Sequence, residues 1–143
     1  MLGDYSTGGT PSHWAETAIK AHDELDADDI CAETNFGGAM VIETIKQAAI
    51  RMHERGERHT DMIRVRDVVA SRGKTLRAEP VSLQYERGRV IHRKGADLNK
   101  LEAEMLGFSR DWDRARDGSP NRTDALVWSI TRLSRIVTSI PIA

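Results

Sequence analysis

At 143 residues, with 39% hydrophobic and 30% charged side chains, the chain has the size and composition of about one globular domain with a real core. A formal net charge of −1 excludes a globally basic nucleic-acid binder, so any contact with DNA requires a local basic patch. The single cysteine cannot form an internal disulfide and fits a reducing cytoplasm. No Cys pair and no His pair at i, i+4 is present, which argues against zinc. No apolar run approaches the roughly 20 residues of a membrane-spanning helix, and Met1-Leu2-Gly3-Asp4 does not read as a signal peptide.

In chain order, Met1-Leu2 reads as the end of a strand, followed by a polar Gly-rich loop through Gly9. Thr10-Pro11 is a helix start, with Thr as N-cap and Pro at the first helical position. Trp14, Ala15, Ala18, Ile19, His22 and Leu25 then predict an amphipathic helix over 11–25. The turn Asp26-Ala27-Asp28-Asp29 feeds a short apolar run, Ile30-Cys31-Ala32, that stops at Glu33. A polar turn with two glycines, Gly37 and Gly38, follows, so that Glu33 is either an acid held rigidly at the edge of a sheet or only a turn cap. A second helix follows to about Arg55, with Met40, Val41, Ile45, Ala48, Ala49 and Met52 on one face.

The charged segment 54–61 reads as a solvated loop. Met62 to Arg66, extended by Val68-Val69, alternates apolar and basic residues and predicts a half-exposed strand. Gly73-Lys74-Thr75 resembles the tail of a P-loop, but that motif requires glycine at position 68, where the chain has Val68. What remains is a basic strand-to-helix turn carrying Arg72, Lys74 and Arg77, suited either to phosphate or to solvent. A short helix is expected over 78–87 with Pro80 in its first turn. A strand is expected over 89–92, a small helix from Leu98 to Phe108, and a surface loop over 109–118. Ser119-Pro120 should start the last helix, in which Asp124 lies in the second turn, directly before the apolar run Ala125-Leu126-Val127-Trp128. A carboxylate there is either a dipole-stabilising acid or one that must be paired or metal-bound.

Two acids, Glu33 and Asp124, therefore stand out. Paired divalent ions in phosphodiester hydrolysis need converging carboxylates, and hard ions such as Mg²⁺ or Mn²⁺ prefer oxygen donors. In this context the sequence resembles the C-terminal nuclease domain of the phage terminase large subunit, the DNA-packaging motor of tailed phages. The matching pieces run in order along nearly the whole chain. They include Asp4-Tyr5-Ser6 and Pro11-Ser12-His13-Trp14-Ala15, then Ala32-Glu33-Thr34-Asn35-Phe36-Gly37-Gly38. Ala70-Ser71-Arg72-Gly73-Lys74, Arg77-Ala78-Glu79-Pro80-Val81 and Tyr85-Glu86-Arg87-Gly88-Arg89-Val90 follow. Leu101-Glu102 with Met105, and Ser119-Pro120-Asn121-Arg122-Thr123-Asp124 with Ala125-Leu126-Val127-Trp128, complete the set.

The resemblance implies an α/β, RNase H-like mixed sheet flanked by helices, and metal-dependent endonuclease cleavage of concatemeric double-stranded DNA. It assigns Glu33 and Asp124 to the metal-binding acids, with Mg²⁺ or Mn²⁺ as cofactor, and leaves Arg72, Lys74 and Arg77 to steer phosphates. Asp4 falls on a recurrent acid without a catalytic assignment. Residues 1–143 correspond to the nuclease domain alone. The family's opening strand, which carries a further metal acid, and its ATPase domain would precede Met1. On this reading the chain is a fragment whose isolated activity is weak or absent. Asn121 stands where the family usually has an acid. Implied partners are the terminase small subunit, the portal or a separate ATPase subunit, in the cytoplasm of a bacterial host carrying a phage or prophage. The alternative is a non-catalytic remnant that binds DNA or the packaging complex through Arg64, Arg66, Arg72, Lys74 and Arg77. A junction-resolvase-like nuclease would share the acids but not the Gly-Gly and Arg-Gly-Lys segments.

Overall fold

The computed structural model describes residues 1–35, 37–70, 73–109 and 111–138, with the side chains of Arg114 and of 135–138 also outside the description. The chain divides into two compact units, Tyr5–Ser71 and Met1–Asp4 with Arg72–Ala143.

In the unit Tyr5–Ser71, α1 (Pro11–Glu24) begins as its sequence predicts: the Thr10 hydroxyl accepts a hydrogen bond from the His13 amide, with proline following the cap. Strand β1 (Ile30–Glu33) leads through the glycine turn into α2 (Ala39–Glu54), which crosses over to β2 (Val65–Val68). The strands pair in parallel with Ile30 opposite Val65 and Glu33 opposite Val68, so β1–α2–β2 is a crossover unit. The Ile30 amide donates to Arg64 O and the Thr34 amide to Val68 O, extending the ladder at both ends.

The core of this unit joins Ala15 and Ile19 of α1, Ala32 of β1, and Ile45, Ala48, Ala49 and Met52 of α2. Ala15, Ala48 and Ala49 are fully buried. Such small side chains let helices approach closely, while Ile19, Ile45 and Met52 supply the buried volume. The expected α/β rhythm is present here, and the sheet among the described residues is this parallel pair alone. Met62 is exposed and precedes β2, so that strand starts three residues later than its alternating pattern suggests.

The segment 54–61 is more than a solvated loop. Arg58 is only 5% exposed at its side chain and forms a two-point pair with Asp23, its Nε 2.6 Å from Oδ2 and its Nη2 2.9 Å from Oδ1. Its Nη1 donates to the carbonyls of Thr60 and Met62. Arg55 meanwhile bridges Glu57 and Glu16. Two arginines thus tie the segment to α1.

The second unit is built on α3 (Lys74–Glu86), α4 (Asn99–Gly107), α5 (Arg114–Asp117) and α6 (Asn121–Thr138). Its core collects Val81, Leu98, Leu101, Leu126, Val127 and Ile130. Helix α3 starts one turn earlier than expected, at Lys74, and this places Pro80 in its second turn rather than its first. Residues 89–92 are not a strand, and neither are Met1-Leu2. The two segments nonetheless lie side by side: the Met1 amine donates to Ile91 O, and the Arg93 amide donates to Met1 O at 2.9 Å. A single bridged residue is too short a ladder to count as a strand. Within the expected loop 109–118, α5 forms because Asp113 Oδ1 accepts from the amides of Ala115 and Arg116, as an N-cap does. No helix among the described residues is long and apolar enough to cross a membrane.

Candidate active site

Glu33 closes β1 and is half-buried. The turn behind it is built as the sequence suggests. The Gly38 amide donates to Thr34 O at 3.1 Å, and Gly37 and Gly38 adopt φ of +98° and +52°, a region that favours glycine. At Gly37 a Cβ would also lie 3.2 Å from a Val41 methyl. Asn35 has a further role that its sequence did not reveal. Its Nδ2 donates to Ala70 O at 3.0 Å and its Oδ1 accepts from the Ala70 amide at 2.7 Å. One side chain therefore imitates a backbone partner and continues the β1–β2 pairing past Glu33.

Asp124 belongs to the other unit. Helix α6 begins at Asn121, one residue after the expected start, and places Asp124 in its first turn with the side chain 8% exposed. The first turn of α3 faces it. Lys74 Nζ lies 3.1 Å from Asp124 Oδ2, and Arg77 Nη2 lies 3.0 Å from Oδ1 and 3.3 Å from Oδ2. Lys74 also donates to Ser119 Oγ at 3.2 Å. The guanidinium of Arg77 sits over the Trp128 ring, 4.7 Å from its centroid.

Three physical features define this cluster. Lysine and arginine in the first turn of α3 lie at the positive end of the helix dipole, where cations are disfavoured, and Asp124 offsets that. Two cations share one carboxylate, leaving a surplus positive charge. Several buried polar atoms make no hydrogen bond: Asp124 Oδ1, Arg77 Nε and Nη1, and Thr123 Oγ1. The 3.0 Å approach of Arg77 to Oδ1 is therefore a charge contact without hydrogen-bond alignment.

In the expected basic turn, Arg77 has a side chain only 11% exposed and is paired with Asp124 and stacked on Trp128. Lys74 is 35% exposed and remains reachable. Arg72 lies outside the described residues. Of the wider basic set, Arg66 is paired with Asp29 at 2.6 Å and, like Arg64, belongs to the other unit.

A neighbouring network also emerges. Arg122 Nε donates to Asp4 Oδ2 at 2.9 Å, with Glu104 Oε2 3.8 Å from its Nη1, while Glu104 Oε1 accepts the Thr123 amide at 2.7 Å. Glu104 thus caps α6 from α4. Arg122 lies within a quoted motif, whereas nothing in the local sequence singled out Glu104.

As a test of the expected metal chemistry, Asp124 fits in kind. A buried carboxylate oxygen without a hydrogen bond is a hard donor of the sort Mg²⁺ or Mn²⁺ accepts. It fits as one ligand only, since among the described residues no three acid, His or Cys side chains group as a metal site.

A family model described as the terminase RNaseH-like domain matches residues 5–133. No curated protein and no solved structure matches the chain. The model spans Glu33, the glycine turn, Lys74, Arg77 and Asp124 in a single alignment, and by that coverage the chain belongs to the family of terminase RNaseH-like domains.

Proposed function

We propose that the chain is the nuclease part of a phage or prophage DNA-packaging terminase and cleaves concatemeric double-stranded DNA in the cytoplasm of the bacterial host. The reading takes Glu33 and Asp124 as its metal acids, with Mg²⁺ or Mn²⁺ as the ion. The observation that carries it is Asp124 itself: a buried acid in the first turn of α6 with one oxygen left without a hydrogen bond, in a family of terminase RNaseH-like domains. When bound, such ions supply an activated water and charge stabilisation of the leaving oxygen. The chain's own part is to hold Asp124 through Arg77, to hold Glu33 at the closed end of β1 through the Asn35–Ala70 pairing, and to offer Lys74 to a phosphate. Packaging partners on this reading are the small subunit, the portal and an ATPase subunit.

The test is nicking of supercoiled plasmid in Mn²⁺ or Mg²⁺ by the chain, Glu33→Ala and Asp124→Ala. The expected result is weak metal-dependent nicking that either substitution lowers by about tenfold or more. Measurable nicking that is equal in all three proteins would overturn the assignment of both acids. A non-catalytic DNA-binding role is favoured by one observation, the surplus positive charge at Lys74, Arg77 and Asp124. Salt-dependent duplex binding with no metal-dependent nicking would select that role instead.

A further inference from the structure

The two cations on Asp124 are not equivalent. Arg77 is buried, planar and stacked on Trp128, and reaches from α3 to two side chains of α6, Asp124 and Trp128. Lys74 is the first residue of α3, a third exposed, on a flexible stem, and among the described residues is anchored beyond Asp124 only by a 3.2 Å bond to the Ser119 hydroxyl. It also sits at the helix end that repels a cation.

We infer that Lys74 is an internal counter-ion, which occupies Asp124 in the free protein and yields the carboxylate when a DNA phosphate draws its ammonium away. With both cations in place the cluster carries a surplus positive charge, which opposes the approach of a divalent ion. With Lys74 turned to a phosphate, Asp124 and Arg77 are a neutral pair. Oδ1, which makes no hydrogen bond in either arrangement, keeps only its charge contact with Arg77, and Oδ2 loses one of its two cationic neighbours. Phosphate engagement and exposure of the acid become one event, so that Asp124 is available to an ion chiefly when DNA is present. This rests on the reading of Asp124 as a metal acid.

The experiment measures Mn²⁺ binding to the whole chain without DNA, by the loss of the free-ion paramagnetic resonance signal. The proteins are the wild type, Lys74→Met, Lys74→Arg, and Lys74→Met combined with Asp124→Asn. Removing a cation about 3 Å from the carboxylate should tighten Mn²⁺ binding about tenfold in Lys74→Met. Lys74→Arg keeps the charge and should stay within about threefold of wild type, and the double variant should lose the gain. In parallel, Asp124→Asn should tighten binding of a short duplex at low salt by severalfold, because Lys74 is released, and Lys74→Met should weaken it.

All of these together support the proposal. Equal, Asp124-dependent Mn²⁺ binding by wild type and Lys74→Met would overturn the counter-ion role while leaving the metal acid intact. Absence of any Asp124-dependent binding would overturn both. Duplex affinity indifferent to Lys74→Met would also overturn it. Lys74→Arg serves as the control that changes the side chain while keeping the positive charge.

Discussion

Arg77 and Asp124 stand 47 residues apart in sequence and meet between α3 and α6, with Nη2 3.0 Å from Oδ1 and side chains 11% and 8% exposed. A buried pair of this kind is weak evidence of net stability, because desolvation consumes much of the attraction. Removing one partner is another matter, since the other is left as an uncompensated charge. The pair therefore acts chiefly on position. It holds the acid of α6 against α3 and keeps the Trp128 ring beneath the guanidinium.

Arg77→Ala is expected to lower unfolding free energy by about 3 kcal/mol, the lower end for breaking a buried pair, because Lys74 still faces Asp124. Arg77→Lys keeps a charge but loses the fork and the stacking, and should cost about 1 kcal/mol. Urea denaturation read through tryptophan fluorescence distinguishes the two. Equal stability of both variants with wild type would remove the positioning role.

Asn35→Ala should remove both side-chain bonds to Ala70 and cost about 1–2 kcal/mol. The more specific consequence is local. The Ala70 amide should exchange with deuterium much faster, while the amides of Ile30 and Thr34, bonded to Arg64 and Val68, should hold more of their protection. A uniform change along β1 and β2 would instead mean general destabilisation.

The hydrogen bond from Arg58, opposed by burial and aided by His22, holds the Asp23 carboxyl below the usual carboxylate range. A depressed folded-state pKa gives stability that is complete above the unfolded value of about 4 and fades as pH falls through the folded value. Wild type should therefore exceed Asp23→Asn in stability at neutral pH, with the gap closing below pH ~4. Asp23 is more than a third exposed, so the gap should be at most about 1 kcal/mol after screening. Denaturation midpoints followed down to acid pH give the comparison.

Burial, and to a smaller extent the charge of Glu102, push the Tyr85 phenol up to about 12. Its hydroxyl lies 2.8 Å from His92 Nε2, and His92 Nδ1 lies 2.7 Å from Glu102, so the three form a relay-like chain. The folded state holds this proton more tightly than the unfolded chain, whose phenol titrates near 10. This contribution to stability is intact below about pH 10 and lost as pH rises towards 12. In a Tyr5→Phe background, phenolate absorbance reads Tyr85 alone, and Glu102→Gln should lower its midpoint without returning it to the ordinary value.

Ile45→Ala, at a side chain 2% exposed in the core of α1, α2 and β1, should cost about 2–5 kcal/mol. Leu106→Ala, at a position 89% exposed, should stay within about 0.5 kcal/mol of wild type. Chemical denaturation of the two variants side by side calibrates the other losses.

The sequence alone determined what short-range physics governs. The Thr10-Pro11 cap, the β1 run into Glu33, the two glycines that permit positive φ, and the apolar faces of α1 and α2 depend on neighbours a few residues away. The ordered motifs placed the chain in its family, and a helix-start acid beside an apolar run marked Asp124. Tertiary structure decided which charges are committed. The acid partners of Arg58 and Arg77 were not legible until packing set each against a carboxylate 35 or 47 residues away. It also decided that residues 89–92 make a single bridge with Met1 in place of a strand. A carboxylate's partner depends on which surfaces are brought together and which are dried, and no local pattern records that.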